Sequence, residues 1–156
     1  MKKISQLILS LILCLSVGTL GGIATASGVN GWYVSLIKPS FNPPNYLFGP
    51  VWTLLYLLMG ISFYLILQSP KNDIRKKAIL IFCVQLVLNF CWSFLFFKFH
   101  WLSIAFIEII LIWLSIIVMI ITFKKLNKTA AYLQLPYLLW VSFASILNGS
   151  IWYLNS

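Results

Sequence analysis

The chain has 156 residues, 62% of them apolar and only 8% charged, against roughly a quarter charged in an ordinary soluble domain. That balance excludes a soluble globular domain and makes the chain an integral membrane protein. The net charge of +9 does not point to nucleic acid, because the basic residues fall as short clusters at the ends of apolar runs and not as one stripe.

A helix needs about twenty mostly apolar residues to cross the hydrocarbon layer. Runs of that kind lie at 4–26, 46–68, 76–98, 101–123 and 130–154, so the expected fold is an all-α membrane protein, a bundle of five transmembrane helices. No polar segment is long enough for a soluble domain, and residues 1–156 are expected to form a single transmembrane domain. In the first run Lys2, Lys3, an apolar stretch and Ala24-Thr25-Ala26 admit a second reading as a cleavable signal peptide. The stretch exceeds the usual signal core of about 7–15 residues, and Gly18, Gly22 and Ala26 form a small-xxx-small stripe suited to helix association, so a retained span is expected. A lipoprotein signal at Cys14 is disfavoured by Ile12 and Leu13, where small residues belong.

Segment 27–45 is the longest loop, and it holds Trp32, Tyr33, Phe41, Lys38 and the prolines Pro39, Pro43 and Pro44. Loops of this length in compact domains are commonly lids or binding segments, and prolines stiffen the chain by fixing φ. A semi-rigid lid is expected; anchoring of Trp32 and Tyr33 at the membrane interface is the alternative. In the second run Trp52, Tyr56 and Met59 or Gly60 share one face. Gln85, Asn89, Trp92 and Phe96 do so in the third, and Trp140, Ala144, Leu147 and Asn148 in the fifth, by helical spacing. Glu108 lies in the fourth run, about 10 Å below its end at 1.5 Å per residue. An intramembrane acid is a candidate functional residue, with a helix-pinning role as the alternative.

Membrane proteins concentrate Trp at the two interfaces, whereas Trp52, Trp92, Trp113 and Trp140 fall inside runs, which points to an aromatic-lined cavity for a flat apolar ligand. Trp52, Asn89, Trp92, Glu108 and Asn148 come out at one level, roughly 10–15 Å from one surface, as bundles arrange ligand sites. Cross-linking of helices by indoles and amides is the competing reading, since such bonds average only about 0.6 kcal/mol. Cys14, Cys83 and Cys91 are odd in number, lack metal-ligand spacing and read as small core residues.

With the N-terminus inside, Lys2, Lys3, Lys71, Arg75, Lys76, Lys77, Lys124, Lys125 and Lys128 collect on the inner side, against Lys38 and Lys98 outside. The positive-inside rule then puts the N-terminus in the cytoplasm and the 27–45 loop and the C-terminus outside, and the bias favours a bacterial cytoplasmic membrane, with an outer membrane as the alternative.

Trp32-Tyr33 with Lys38-Pro39 and Pro43-Pro44, Phe48-Gly49-Pro50-Val51-Trp52-Thr53, Gln85-Leu86 with Leu88-Asn89 and Trp92-Ser93, Glu108, Pro136-Tyr137, Trp140, Phe143-Ala144 and Leu147-Asn148 closely resemble the TspO/MBR family. These are the tryptophan-rich sensory proteins related to the translocator protein, or peripheral-type benzodiazepine receptor. The resemblance spans nearly the whole chain. It implies a five-helix bundle, often a homodimer, that binds porphyrins and other tetrapyrroles, with pocket positions at Trp32, Trp52, Asn89, Trp92, Trp140, Ala144 and Leu147, and with Glu108 as the family's fourth-helix acid. Phe41 and Phe90 stand where many relatives carry Trp. The basic residue expected after a C-terminal tyrosine in cholesterol binders is missing beyond Tyr153, so cholesterol is not expected.

The functional expectation is a receptor or carrier for a protoporphyrin-like tetrapyrrole, with a sensory or regulatory role. Membrane lipid is its other partner; no cofactor or metal is required. Trp52, Trp92 and Trp140 would stack on the macrocycle, Asn89 and indole N–H groups would bind its polar edges, and Lys38 would meet a propionate. His100 is the lone histidine, so a metal-free porphyrin fits better than axially ligated haem. Two alternatives stand beside it. One is a light-dependent porphyrin-degrading enzyme, with Trp52 and Trp140 as electron or hydrogen donors; the other is a ligand-responsive signalling partner that associates through the Gly18/Gly22 stripe.

Overall fold

A computed structural model describes residues 2–156. Among them the regular structure is helical: α1 (Lys2–Val29), α2 (Trp32–Ser35), a 3-10 turn (Asn45–Leu47), α3 (Phe48–Leu67), α4 (Asp73–Phe97), α5 (Leu102–Lys124), α6 (Lys128–Tyr132) and α7 (Leu135–Leu154). Five helical stretches, the last of them α6 and α7 together, are long and apolar enough to cross a membrane. Polar turn residues set their ends. Asn72 accepts the Arg75 amide (2.8 Å) and so caps α4, and Asn127 accepts the Ala130 amide (3.0 Å) to cap α6, satisfying N–H groups that a helix start leaves unpaired.

The fifth span is not one helix, as the 130–154 run suggested. Pro136 lacks an N–H, and its ring collides with the carbonyl four residues back, at Tyr132; α6 stops at that residue and α7 begins with the proline in its first turn. The break deprives the Ala130 carbonyl of its helical partner, because the Gln134 amide bonds to Ala131 instead. The Ser62 hydroxyl of α3 fills the gap by donating to Ala130 at 2.7 Å.

Around the bundle α1 packs on α3 and α4, α4 on α5, α5 on α7, and α3 on α6. The Trp52 and Tyr137 rings meet edge to face at 6.2 Å and close the circle between α3 and α7. Two apolar clusters divide the interior. The larger, away from the lid, stacks Phe63 on Phe82 at 4.2 Å and packs Met59, Ile66, Ile112, Ile116 and Met119 around them. The smaller lies under the lid and joins Tyr33, Phe96, Phe97, Ala105, Leu147 and Ile151.

Close packing of α1 uses a different stripe from the one expected. Its buried residues are Ser10, Cys14, Gly21, Ala24 and Gly28, with Gly21 against Ser93 and Gly28 against the Phe97 backbone. Gly22 and Ala26 are exposed and line a cavity, and Gly18 faces the Tyr56 ring, so the Gly18/Gly22 stripe belongs to the interior site. The hydroxyls on this helix bond back to their own chain, Thr19 to Leu15 at 2.8 Å and Ser16 to Ile12, which removes their cost in an apolar setting. Of the cysteines only Cys14 is a core residue; Cys83 is exposed and Cys91 half-buried.

Candidate functional site

Between the two clusters the helices leave a cavity of about 410 Å³, inside the range of roughly 300–1,000 Å³ usual for small-ligand sites. Its walls come from α1, α3, α4 and α7, and α2 and the 3-10 turn add Tyr33 and Asn45 at the lid end. Of the residues expected at a site, Tyr33, Trp52, Tyr56, Asn89, Trp92, Trp140, Ala144, Leu147 and Asn148 all line it. Helical spacing explains the grouping: Trp52 and Tyr56 are one turn apart on α3, Asn89 and Trp92 on α4, and Trp140, Ala144, Leu147 and Asn148 run down one face of α7.

The polar floor is a chain of side-chain hydrogen bonds. The Tyr56 hydroxyl donates to Asn89 Oδ1 (2.5 Å), Asn89 Nδ2 donates to the Tyr137 hydroxyl (2.7 Å), and that hydroxyl donates to Gln85 Oε1 (2.9 Å). Higher up, Trp92 Nε1 donates to Asn148 Oδ1 at 3.0 Å. Both amides are therefore engaged in tying α4 to α3 and α7. Trp140 is different: its Nε1 is buried and has no hydrogen-bond partner among the described residues, while its ring is braced by Phe48 at 6.1 Å and Phe143 at 5.6 Å.

Glu108, Trp32 and Trp113 do not line the cavity. Helix α5 packs against α4 and α7 and contributes no residue to the cavity wall, so Glu108 is at a suitable depth but on a helix outside the site; its Oε2 is buried without a partner among the described residues. Trp113 of α5 donates to Ser142 Oγ at 2.8 Å and acts as a helix link. Trp32 anchors the lid from the side, stacked on His100 at 3.9 Å and edge-on to Phe96 at 5.7 Å. His100 takes φ 59° in the α4–α5 turn.

The prolines of the lid lie outside the cavity wall, and Lys38 has a structural task in place of the expected contact with a ligand acid. Its Nζ donates to the carbonyls of Tyr33 (2.7 Å), Leu36 (3.1 Å) and Val34 (3.2 Å), closing the C-terminal end of α2. The Tyr33 hydroxyl donates to Asn42 Oδ1 at 2.6 Å, and burial pushes its phenol up to about 12, so it remains a donor at neutral pH. Asn155 clasps the lid backbone: Oδ1 accepts the Ile37 amide (3.0 Å) and Nδ2 donates to the Ile37 carbonyl (2.8 Å). Sequence reasoning passed over Asn155, which carries no local signal, and Tyr137, whose position one turn before Trp140 was a usable one.

The TspO/MBR family model matches residues 10–154. The chain belongs to the TspO/MBR family. It is 40% identical over 156 residues to the tryptophan-rich protein TspO of Chlorobaculum tepidum, covering 99% of this chain and 98% of that protein. It is 43% identical over 155 residues to the corresponding protein of Archaeoglobus fulgidus, covering 99% of each. The human translocator protein is 32% identical over 124 residues, covering 78% of this chain and 73% of that one. Membership and the five apolar helices together make this an integral membrane protein of the same bundle class.

Proposed function

We propose that the chain is a membrane receptor or carrier for a flat, largely apolar tetrapyrrole of the protoporphyrin type. The observation that carries the reading is the cavity under the lid, which Trp52, Trp92 and Trp140 all line and where the buried Trp140 N–H has no partner among the described residues. Indole faces bury the macrocycle at roughly 25 cal/mol per Å² of apolar surface. An acceptor on the ligand relieves the Trp140 N–H, whose burial without a partner costs about 1–3 kcal/mol. Asn89 and Trp92 serve as scaffold in this reading, because their hydrogen bonds are already spent on neighbouring helices.

Titration of the protein in lipid nanodiscs with protoporphyrin IX tests it. Saturable quenching of tryptophan fluorescence, weakened by Trp140→Phe, is expected; quenching that rises linearly and ignores the substitution would reduce the ligand to a solute of the bilayer. A second reading, light-driven degradation of the bound pigment, draws on the presence of both Trp52 and Trp140 in the wall. Pigment loss under light, absent in the dark and slowed by Trp140→Phe, is its signature; an intact pigment after illumination of pure protein removes it.

A further inference from the structure

The seam between α1 and α3 changes character along its length. At the end away from the lid, the two backbones touch: a Cβ at Gly60 would stand 3.1 Å from Leu11 Cα and 3.2 Å from the Ser10 carbonyl. One step toward the lid the gap is filled by a side chain, the Tyr56 ring lying against Gly18. Beyond that nothing fills it. A Cβ added to Gly22 on α1 or to Gly49 on α3 would meet no atom within 4 Å. Over the same stretch α1 stays tight on α4, with Gly21 against Ser93 and Gly28 against Phe97, so it is from α3 that it parts. The cavity residues exposed along the flanks of this wedge are Thr19, Gly22 and Ala26 on α1 and Gly49 and Thr53 on α3; those on α4 and α7 are buried or half-buried.

The lid, in contrast, is fastened from several sides. Asn155 holds Ile37 by two hydrogen bonds, Tyr33 holds Asn42, Asn45 Nδ2 reaches the Val29 carbonyl at 3.4 Å, and Trp32 is stacked on His100. Both flanks of the wedge belong to helices long and apolar enough to cross a membrane, and an opening between two such helices is turned toward hydrocarbon.

We infer that the cavity loads sideways, through the α1–α3 gap at the level of Gly22 and Gly49, and that its ligands are molecules already dissolved in the lid-side leaflet and not solutes taken from water beneath the lid. The inference rests on the proposed ligand site and adds its route and the physical class of what it admits.

Gly22→Phe narrows the gap without a clash at the backbone. The test loads protoporphyrin IX into the bilayer of proteoliposomes and follows quenching after rapid mixing. Gly22→Phe is expected to slow association by about tenfold and to slow dissociation as well, since a gate acts in both directions, whereas a ring that merely took up the ligand's space would speed dissociation. Asn155→Ala, which frees the lid, is expected to leave both rates as they are. An unchanged rate in Gly22→Phe, or a rate raised by Asn155→Ala, overturns the side route. A porphyrin-free measurement separates this outcome from failure of the ligand assignment. A nitroxide on Gly22→Cys, with Cys14, Cys83 and Cys91 replaced by alanine, is expected to relax with oxygen dissolved in lipid and not with a water-soluble nickel chelate; preferential relaxation by nickel, or by neither, overturns the route even where porphyrin fails to bind.

Discussion

Asn89 sits where three helices are joined, and its removal has a calculable cost. Asn89→Ala deletes the bonds to Tyr56 and Tyr137, each worth about 0.6 kcal/mol on average and up to about 1.7 inside a membrane protein. Tyr137 keeps its bond to Gln85, but the Tyr56 hydroxyl, in a residue 6% exposed, is left without an acceptor at a further cost of about 1–3 kcal/mol. The expected destabilisation is therefore about 2–4 kcal/mol. Tyr56→Phe keeps the ring against Gly18 and removes only one bond, so about 0.6–1.7 kcal/mol is expected from it. Reversible unfolding by SDS in mixed micelles, run on both single variants and the double variant, isolates their coupling. A coupling of about 1.6–3.6 kcal/mol is expected, the shared bond together with the stranding of the Tyr56 hydroxyl, because the Tyr56→Phe background has no hydroxyl left to strand. Additivity within about 0.3–0.5 kcal/mol, the behaviour of independent sites, would refute the network as the element that ties α3, α4 and α7.

Asn155→Ala removes two bonds to the lid, and hydrogen exchange over residues 32–44 should quicken by about tenfold for each 1.4 kcal/mol of lid stability lost, while exchange in α5 stays as it was. Gly28→Ala sets a Cβ 2.7 Å from the Phe97 carbonyl, an overpacking expected to cost about 1–3 kcal/mol. Gly22→Ala on the same helix meets open space and should be neutral or stabilising by up to about 1 kcal/mol; thermal unfolding of the pair measures the contrast. Glu108→Gln should leave porphyrin affinity unaltered in the fluorescence titration, since its carboxyl is off the cavity wall; a marked loss would return Glu108 to the site.

The sequence carries one coordinate of this site far better than the other. Depth follows from counting residues at 1.5 Å each, and counting brought Trp52, Asn89, Trp92 and Asn148 to one level, where the cavity lies. Direction around the helix axis is harder to read. In a soluble bundle the contrast between a wet face and a dry one reveals it, but a helix in lipid is apolar on both sides, and the contrast is lost. Polar and aromatic residues spaced by whole turns restore it locally, which is why the inner faces of α4 and α7 were legible. Glu108 stands alone on α5, with no second polar residue one turn away to show where it points. On α1 the glycines and alanines mark two adjacent stripes, Gly21-Ala24-Gly28 and Gly18-Gly22-Ala26, of almost equal chemistry; only the neighbouring α4 decides that the first is buried and the second faces the gap. Lys38 failed for a related reason. A cation near a lid has two partners of like appeal, a ligand acid or a ring of unpaired carbonyls at a helix end, and the local turn of α2 brings the carbonyls within reach first.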